Sequence, residues 1–570
     1  MNKLDLNLFR RAFAVAKPFW FSTERRRAWG VVVLLVLLLL ADTQLSVFFN
    51  KQSGEFTSAL AAQDADRFWS SIQAFLMLVV VAVPVYAYYY YVRDKLSLDW
   101  RRWMTERFLN GYFANHAFYH LLARPEIDNP DQRIADDIAA FTSQSLSFFL
   151  LLLGGVFQLV AFRSVLWSIS SYLVLFLVLY AAVGTLIAFG VFGEKMVVLY
   201  FNQRRREADF RFGLVRIREN AEAIALYHGE QKEQAQVQKL FGEVYANFYR
   251  LIRWSLRLNF FQYSHSLLTM VIPSVIIAPR VLSGELEVGR VVQAEGAFAA
   301  ILAALTLLVG YLEALSRFAA GVGRLDGLAA SLKSVRFRKH PNRERIVTQQ
   351  GLTLGLEGVT LHTPNYERIL VKELTVSVPP GQNLMIVGAS GLGKSSLLRM
   401  IAGLWDSGAG TVFRPRSEDI LFLPQHAYMI PGSLRQQLSY PALSREVSEA
   451  EFRETLEKVN LPDLVDRCGG FDTELDFEKV LSVGERQRLA FARVLLNTPR
   501  YVLLDEATSA LDQENEAALY RLLGGMETTL VSVSHRRALV QYHAQVLELK
   551  PDGGWELQAA DSFCFSEELA

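Results

Sequence analysis

The hydrophobic positions divide the chain into a long apolar first part and a mixed second part. Stretches such as 31–40 and 146–153 contain no charged residue. A helix needs about 20 apolar residues to cross a hydrocarbon core of about 30 Å. The segments that meet this length lie near residues 29–49, 69–92, 144–162, 171–193, 262–282 and 292–316. The first part is therefore predicted to be an α-helical membrane domain with six spans.

The pattern changes near residue 352 to the alternation of apolar and polar positions that is typical of β-strands. Residues 354–361, 374–378 and 384–387 are predicted strands, and the last of them leads into a glycine-rich loop and a helix-like run, 396–401. We therefore expect an α/β domain after the membrane domain.

The cationic residues are concentrated in two long connections, 93–143 and 194–261, whereas 50–68, 163–170 and 283–291 are short and poor in Lys and Arg. Positively charged connections stay on the cytoplasmic side of a membrane. We therefore expect both termini and the α/β domain to be cytoplasmic.

The same two connections are too polar to cross a membrane but are rich in helix-forming residues, so the membrane helices are expected to continue into the cytosol. Their turns, near 128–133 and 218–220, are candidate elements for coupling to the second domain. The alternative is that both are simply solvated helical hairpins.

The N-terminal stretch 5–27 has the pattern of an interfacial helix. Leu8, Phe9, Phe13 and residues 19–21 are expected to face lipid, with three arginines at 25–27 holding the cytoplasmic surface.

A few polar residues interrupt the predicted spans: Asp42, Gln44, Gln158, Gln293 and Glu295. A charged group near the bilayer centre costs about 2.5–3.5 kcal/mol on insertion scales, so Asp42 should face protein or water. It either lines a hydrophilic cavity or makes an interhelical hydrogen bond without touching a solute. Glu295 lies near the expected periplasmic boundary, where exposure costs little.

Composition supports a membrane protein, because 51% of the 570 residues are hydrophobic and only 21% are charged. That balance excludes an ordinary soluble enzyme. A net charge of +1 gives no sign of a nucleic-acid partner. The two cysteines, Cys468 and Cys564, fit a reducing cytosol without disulfides.

The glycine-rich loop has the residue types of a phosphate cradle. Small residues let backbone N–H groups converge on a polyanion, a lysine supplies a cation, and a hydroxyl is offered to Mg²⁺. The residues concerned are Gly388, Ser390, Gly391, Gly393, Lys394, Ser395 and Ser396. A glycine-rich turn without a ligand is the alternative, but the position between a buried strand and a helix favours the cradle.

A second apolar run, 501–504, ends in Asp505 and Glu506. The first carboxylate at such a strand end can hold the magnesium shell, and the second can orient and deprotonate an attacking water. Further motifs surround this pair: Gln425 after the predicted strand 420–423, the serine-glycine stretch 481–488, residues 509–512, and His535 after the apolar run 530–533. Their joint occurrence in one order makes coincidence negligible.

This order resembles the ATP-binding cassette family over residues 352–560. The resemblance implies that Lys394 and the backbone of 391–395 bind the β- and γ-phosphates of ATP, and that Ser395, Asp505 and Gln425 hold Mg²⁺. It also gives Glu506 the role of general base, gives Gln425 a contact with the attacking water, and places His535 on the γ-phosphate.

The family resemblance also implies that Ser482 and Gly484 serve the ATP held by a second cassette, with Glu485 and Asp512 in the same nucleotide-contacting set. One cassette per chain then predicts a homodimer. The chain departs from the commonest family pattern in two places, which involve three positions. Val483 and Glu485 stand where Gly and Gln are usual, and Thr363 stands where many relatives stack an aromatic ring on adenine, which leaves Tyr366 as an open alternative.

The first part carries several blocks with a narrower resemblance: Asn50, Phe56, 59–60, Asp64, 68–69, 99–101, 128–133, 207–211 and 218–222. They resemble the permease family of SbmA and BacA, and more closely its members with a fused ATPase, which are described as cobalamin, bleomycin and antimicrobial-peptide transporters. Peroxisomal acyl-CoA transporters have related blocks. Membership implies an exporter-like six-helix fold that in several members imports bulky hydrophilic solutes.

We therefore expect a homodimeric, ATP-driven transporter of the bacterial inner membrane that takes up hydrophilic peptides or cobalamin-like molecules, in contact with membrane lipid and without nucleic acid. The alternatives are a lipid or acyl-CoA transporter and a membrane-tethered regulatory ATPase without solute flux. The expected domains are an N-terminal interfacial helix 1–27, a permease domain 28–325, a linker 326–351, the cassette 352–560 and a C-terminal tail 561–570.

Overall fold

The computed structural model of the protein describes residues 6–122, 127–336, 344–443 and 445–565. The chain divides into two compact units, Met1–Arg338 and Lys339–Ala570. In its described residues the first unit is helical, whereas the second combines strands and helices.

The helices of the first unit are α1 Leu6–Trp20, α2 Arg25–Ala61, α3 Ala65–Phe113, α4 Ala117–Leu122, α5 Pro130–Gln132, α6 Ile138–Ile169, α7 Ser171–Ile187, α8 Glu194–Glu219, α9 Ala221–Leu226, α10 Glu230–Leu282, α11 Gly289–Gly310 and α12 Leu312–Arg336. Two π-helical segments, Arg133–Asp137 and Ala188–Gly193, lead into α6 and α8.

Among the described residues, five helical stretches are long and apolar enough to cross a membrane: Arg25–Ala61, Ala65–Leu122, Pro130–Ile169, Ser171–Glu219 and Glu230–Leu282. They contain the first five predicted spans. The sixth predicted span falls on α11 and the start of α12, which are not in this set, so the count of six stays a prediction. The continuation of helices through the two cationic connections is confirmed.

Helix α1 packs on protein more than the sequence predicts. Leu8 and Phe19 are buried, at 8% and 3% exposed, whereas Phe9 and Phe13 are 66% and 60% exposed. Phe19 stacks on Trp100 of α3 with 5.5 Å between ring centroids. The expectation that Leu8 and Phe19 face lipid is therefore wrong, because α3 and α12 offer them an apolar surface.

The turn at 128–133 is fixed by a buried arginine. The Arg133 guanidinium, 5% exposed, donates to the carboxylate and the carbonyl oxygen of Asp128 at 2.5 and 3.0 Å, and to the carbonyl oxygen of Arg324 at 2.9 Å. Arg324 in turn forms two hydrogen bonds with Asp137, at 2.5 and 2.6 Å. This turn is anchored to α12 and is not a freely solvated hairpin, and its part in coupling stays a prediction.

The polar residues of the spans differ in their surroundings. Asp42 and Gln158 are half-buried, whereas Gln44 is exposed. The Gln293 amide, 8% exposed, donates to the carbonyl oxygen of Lys51 at 3.2 Å. Glu295 is half-buried and accepts a hydrogen bond from Ser274 on α10. Glu295 therefore has a protein partner, which the sequence did not predict.

The strands of the second unit are β1 Val347–Gln350, β2 Leu354–His362, β3 Ile369–Val378, β4 Leu384–Val387, β5 Gly408–Arg414, β6 Ile420–Leu423, β7 Gly432–Ser433, β8 Glu474–Leu475, β9 Tyr501–Asp505, β10 Thr529–Val533, β11 Gln545–Leu549 and β12 Trp555–Ala559. Its helices are α13 Lys394–Ile401, α14 Leu434–Leu438, α15 Glu449–Lys458, α16 Leu464–Arg467, α17 Phe477–Val480, α18 Val483–Asn497 and α19 Gln513–Gly524. The predicted strands at 354–361, 374–378, 384–387, 420–423 and 530–533 are confirmed.

The central sheet of this unit has the strand order β12-β11-β4-β10-β9-β6. The strands from β11 to β6 are parallel, and only β12 is antiparallel to its neighbour. Strands β4, β9 and β10 are completely buried, which explains why they are mostly apolar; their polar residues are Asp505 at the end of β9, and Thr529 and Ser532 in β10. Because the carboxyl ends of parallel strands meet at one edge, the loops after β4, β6, β9 and β10 come together there.

The stretch 326–351, which we expected to be a linker, contains two elements. Residues 326–336 continue α12, and β1, at Val347–Gln350, pairs with β5. Every residue of β1 is exposed, so it has no apolar alternation from which it could be predicted. Residues 337–343 lie outside the described part, as do residues 1–5 of the predicted interfacial helix and 566–570 of the predicted tail.

The buried His543 makes the stability of the second unit depend on pH. Its Nδ1 lies 2.8 Å from the carbonyl oxygen of Leu539, to which it donates, and its Nε2 lies 2.9 Å from the Ser532 hydroxyl. Burial lowers the pKa of His543 to about 4. The ordinary histidine pKa of about 6.5 applies in the unfolded chain, so between pH 6.5 and pH 4 the unfolded chain binds a proton that the folded chain does not. The free energy of unfolding is therefore highest above about pH 6.5 and falls by about 3 kcal/mol towards pH 4.

We therefore expect the melting temperature of the full-length protein to fall between pH 7.5 and pH 5, and to fall less in His543→Asn, which donates to Leu539 without titrating. Thermal melting in detergent measures both. An equal drop in the two proteins would contradict the assignment.

Candidate nucleotide-binding site

The phosphate loop connects β4 to α13. Its glycines have the backbone angles that a tight anion cradle needs, with φ of 144° at Gly388, 81° at Gly391 and 97° at Gly393. A Cβ atom on Gly388 would lie 2.8 Å from the carbonyl oxygen of Leu549. All three positions therefore favour glycine for conformation, and Gly388 favours it for space as well.

Lys394 is the first residue of α13 and is 6% exposed. Its Nζ donates to the carbonyl oxygens of Gly388 at 2.7 Å and Ala389 at 3.0 Å, so its charge lies across the loop. Burial lowers the pKa of Lys394, and the charges of Glu506 and Asp505 oppose this shift. A polyanion in the loop would offer this ammonium group a stronger partner than two carbonyls.

Ser395 and Asp505 meet at the carboxyl edge of the sheet, where the Ser395 hydroxyl donates to Asp505 Oδ1 at 2.9 Å. Burial raises the pKa of Asp505, and the hydrogen bond from Ser395 opposes this effect. The Ser395 hydroxyl and the Asp505 carboxylate thus offer two neighbouring oxygen ligands, which is the ligand type that Mg²⁺ prefers.

Glu506 has a left-handed backbone, with φ of 48°, and its N–H donates to the carbonyl oxygen of Val533 at 3.1 Å. Gln425 Nε2 donates to Glu506 Oε2 at 3.0 Å. On the other side, His535 Nε2 lies 3.4 Å from Glu506 Oε1. A strained backbone that is held from three directions is typical of a functional position.

The pKa of His535 is lowered, first by burial and then by the charge of Lys394, with Glu506 acting in the opposite direction. His535 is therefore neutral at neutral pH and can donate one hydrogen bond from its ring while it accepts another. The structure thus brings together the predicted site residues of the phosphate loop with Gln425, Asp505, Glu506 and His535.

The serine-glycine stretch forms the start of α18. Ser482 caps this helix, and its side chain and that of Glu485 form a reciprocal capping box. Arg467 lies 2.6 Å from Glu485 and lowers the pKa of that carboxyl. Among the described contacts, none joins Ser482 or Gly484 to the phosphate loop of the same chain.

Three other predicted positions have local roles. Asp512 caps α19, and the N–H of Asn515, 2.8 Å away, lowers the pKa of the Asp512 carboxyl. The Tyr366 hydroxyl donates to the carbonyl oxygen of Glu344 at 2.7 Å, and Thr363 bonds with Arg368. Neither Thr363 nor Tyr366 is thereby assigned to adenine.

Gln487 was not among the predicted site residues. It is 2% exposed, and its side chain forms hydrogen bonds with the backbone of Gln425 and Ala510. A signal was available, because Gln487 shares a helix face with the buried Ala490 and Val494. A polar residue on a buried face needs partners. Arg536 was also missed, and its position next to His535 was the signal.

Taken together, this edge of the sheet has the construction of a nucleoside triphosphatase site in a chain that also carries a helical membrane domain. Residues 18–282 match the family model of the ABC transporter transmembrane region 2, and residues 371–509 match that of the ABC transporter. The chain belongs to the ATP-binding cassette transporter family: it is a multi-pass membrane protein that binds and hydrolyses ATP.

Relatives match along almost the whole chain. An uncharacterized ABC transporter ATP-binding protein of Synechocystis sp. is 44% identical over 94% of this chain and 82% of its own length. ABC transporter D family member 2, chloroplastic, of Arabidopsis thaliana is 35% identical over 97% and 89%. The lysosomal cobalamin transporter ABCD4 of Homo sapiens is 31% identical over 97% of both chains. The chain is therefore homologous to the D family of ABC transporters.

The fold is similar to that of a bacterial Atm1-family ABC exporter with ATP bound, with a TM-score of 0.71 at 20% identity over 94% of this chain and 96% of the other. This similarity confirms the predicted fold class, an exporter-like helical membrane domain followed by an α/β nucleotide-binding domain.

Proposed function

We propose that two copies of this chain form a transporter that uses ATP to import a bulky hydrophilic solute across the bacterial inner membrane. The observation that carries the ATP-driven part of the proposal is the arrangement of Glu506 between Gln425 and His535, beside the Ser395–Asp505 pair. It contains the parts that phosphoryl transfer to water needs, which are positioning and charge stabilisation.

In this proposal Lys394 and the N–H groups of the phosphate loop, together with Ser396, bind the β- and γ-phosphates. Ser395, Asp505 and Gln425 would hold Mg²⁺, which supplies charge neutralisation on the phosphates when bound. Glu506 orients the attacking water and takes its proton, while Gln425 fixes the Glu506 carboxylate. His535, neutral at pH 7, donates a hydrogen bond to the γ-phosphate.

The second half of each site comes from the other copy. Ser482 is exposed and caps α18, whose N-terminal N–H groups favour an anion. The described contacts of Ser482 are all with its own helix, so its exposed hydroxyl can bind the ATP held by the partner. Gly484, Glu485 and Asp512 belong to the same proposed surface.

The solute class rests on the relatives and on the membrane domain. The human relative is named a lysosomal cobalamin transporter, and the half-buried Asp42 and Gln158 are polar groups within apolar helices. We include in the proposal the narrower membership with SbmA-like and BacA-like permeases that carry a fused ATPase. The cationic connections support a cytoplasmic placement of the cassette and both termini.

Transport in proteoliposomes tests this function. Vesicles with the cassette outside are loaded with labelled cobalamin or a labelled proline-rich peptide, ATP is added outside, and the luminal label is followed. Import corresponds to ATP-dependent loss of label from the lumen, and Glu506→Gln should abolish it. Movement of a fluorescent phospholipid or acyl-CoA instead of both solutes would support the lipid alternative, and ATP hydrolysis with no flux would support a regulatory ATPase.

A further inference from the structure

The loop 509–512 lies between β9 and α19, and the buried side-chain amide of Gln487 holds it in place. Gln487 Nε2 donates to the carbonyl oxygen of Gln425 at 3.2 Å and to the Ser509 hydroxyl at 3.4 Å. Gln487 Oε1 accepts from the N–H of Ala510 at 3.1 Å. One side chain on α18 therefore joins the backbone of Gln425 to this loop.

An arginine holds the same loop from the His535 side. The Arg536 guanidinium donates to the carbonyl oxygens of Leu511 at 3.0 Å and Ser509 at 3.1 Å. It also pairs at 3.0 Å with Glu516, whose side chain is 3% exposed and accepts a bond from Thr508. Both neighbours of Glu506, Gln425 and His535, are thus linked to one loop.

We propose that Gln487 and Arg536 are positioning residues for ATP hydrolysis, because they make the loop 509–512, Gln425 and the segment after His535 move as one body with α18. A shift of Gln425, whose side chain bonds to Glu506, is transmitted through Gln487 to the helix that Ser482 caps. This inference rests on the catalytic roles proposed above for Gln425 and Glu506.

A purely structural amide would behave differently from a positioning residue. Its loss would lower stability and would reduce turnover by the same factor whatever the residue at position 425. A residue that acts through the Gln425 side chain loses its effect once that side chain is absent, because interacting sites are not additive. The bond from Gln487 goes to the Gln425 backbone, so Gln425→Ala removes the function and leaves the structural contact in place.

The experiment measures ATPase kcat and KM of the full-length protein in nanodiscs for Gln487→Met, Gln425→Ala and the double variant. We expect Gln487→Met to lower kcat about tenfold with KM for ATP changed less than about twofold, since the phosphate loop is untouched. In the Gln425→Ala background the same change should lower kcat less than about twofold.

Gln437→Met is the matched control, since Gln437 is also buried and bonds to the Ile430 N–H, at 3.1 Å, but has no described contact with Gln425. Its effect should be equal in both backgrounds. If Gln487→Met fails to fold, Gln487→Glu keeps the acceptor for Ala510 and removes the donor to Gln425, and should show the same non-additivity. Arg536→Lys keeps the positive charge near Glu516 but cannot donate to the carbonyl oxygens of Leu511 and Ser509 at the same time. This variant should also lower kcat and leave KM unchanged.

Equal factors for Gln487→Met in both backgrounds would overturn the inference, as would unchanged kcat in both the Gln487 and Arg536 variants. The assay needs no solute, so a failed transport experiment leaves its result intact. A failure here would likewise leave the proposed solute class standing.

Discussion

Glu506→Gln is expected to lower ATP turnover by about 10²- to 10⁴-fold while ATP binding is retained, which is the usual contribution of a positioned general base. The glutamine amide fills the same space and can still bond to Gln425 and His535, so the loop around position 506 keeps its shape. It cannot take a proton from water. The phosphate loop and Lys394 are unchanged, and ATP should therefore stay bound and, in the proposed dimer, hold the two cassettes together.

The measurement is steady-state ATPase activity together with ATP retained on the purified protein. Glu527→Gln is the matched control, because Glu527 is an exposed carboxylate of the same unit and should leave both quantities unchanged. Near-normal hydrolysis in Glu506→Gln would show that another group accepts the proton.

The strands and the phosphate loop could be predicted because their causes are local. Strand β4 is completely buried, so all four of its residues are apolar, and Gly391 and Gly393 occur where the backbone has positive φ. The parallel order of the sheet then places the ends of β4, β6, β9 and β10 at one edge. The grouping of the predicted catalytic residues follows from this topology.

The parts that could not be predicted depend on contacts between distant segments. Gln487 and Arg536 acquire their roles only when the loop 509–512 folds against them. Strand β1 is exposed throughout and is defined by its pairing with β5 rather than by its own pattern. Helix α1 has an amphipathic sequence that could face either lipid or protein. Phe19 faces protein because it stacks on Trp100 of α3.

We propose that each ATP site is built from two chains, with the phosphate loop of one chain facing Ser482 of the other. We expect Lys394→Ala and Ser482→Arg to damage one and the same site when they are on different chains of a mixed dimer, which leaves the second site complete. When both changes are on one chain, opposed to an unchanged partner, they damage both sites.

The direct test is the amount of ATP trapped per dimer, with Glu506→Gln in both chains so that bound ATP persists. A site shared by two chains gives one trapped ATP per dimer when the two changes are on different chains and none when both are on one chain, as the two-fold symmetry of a dimer requires. Equal trapping in the two arrangements would contradict it.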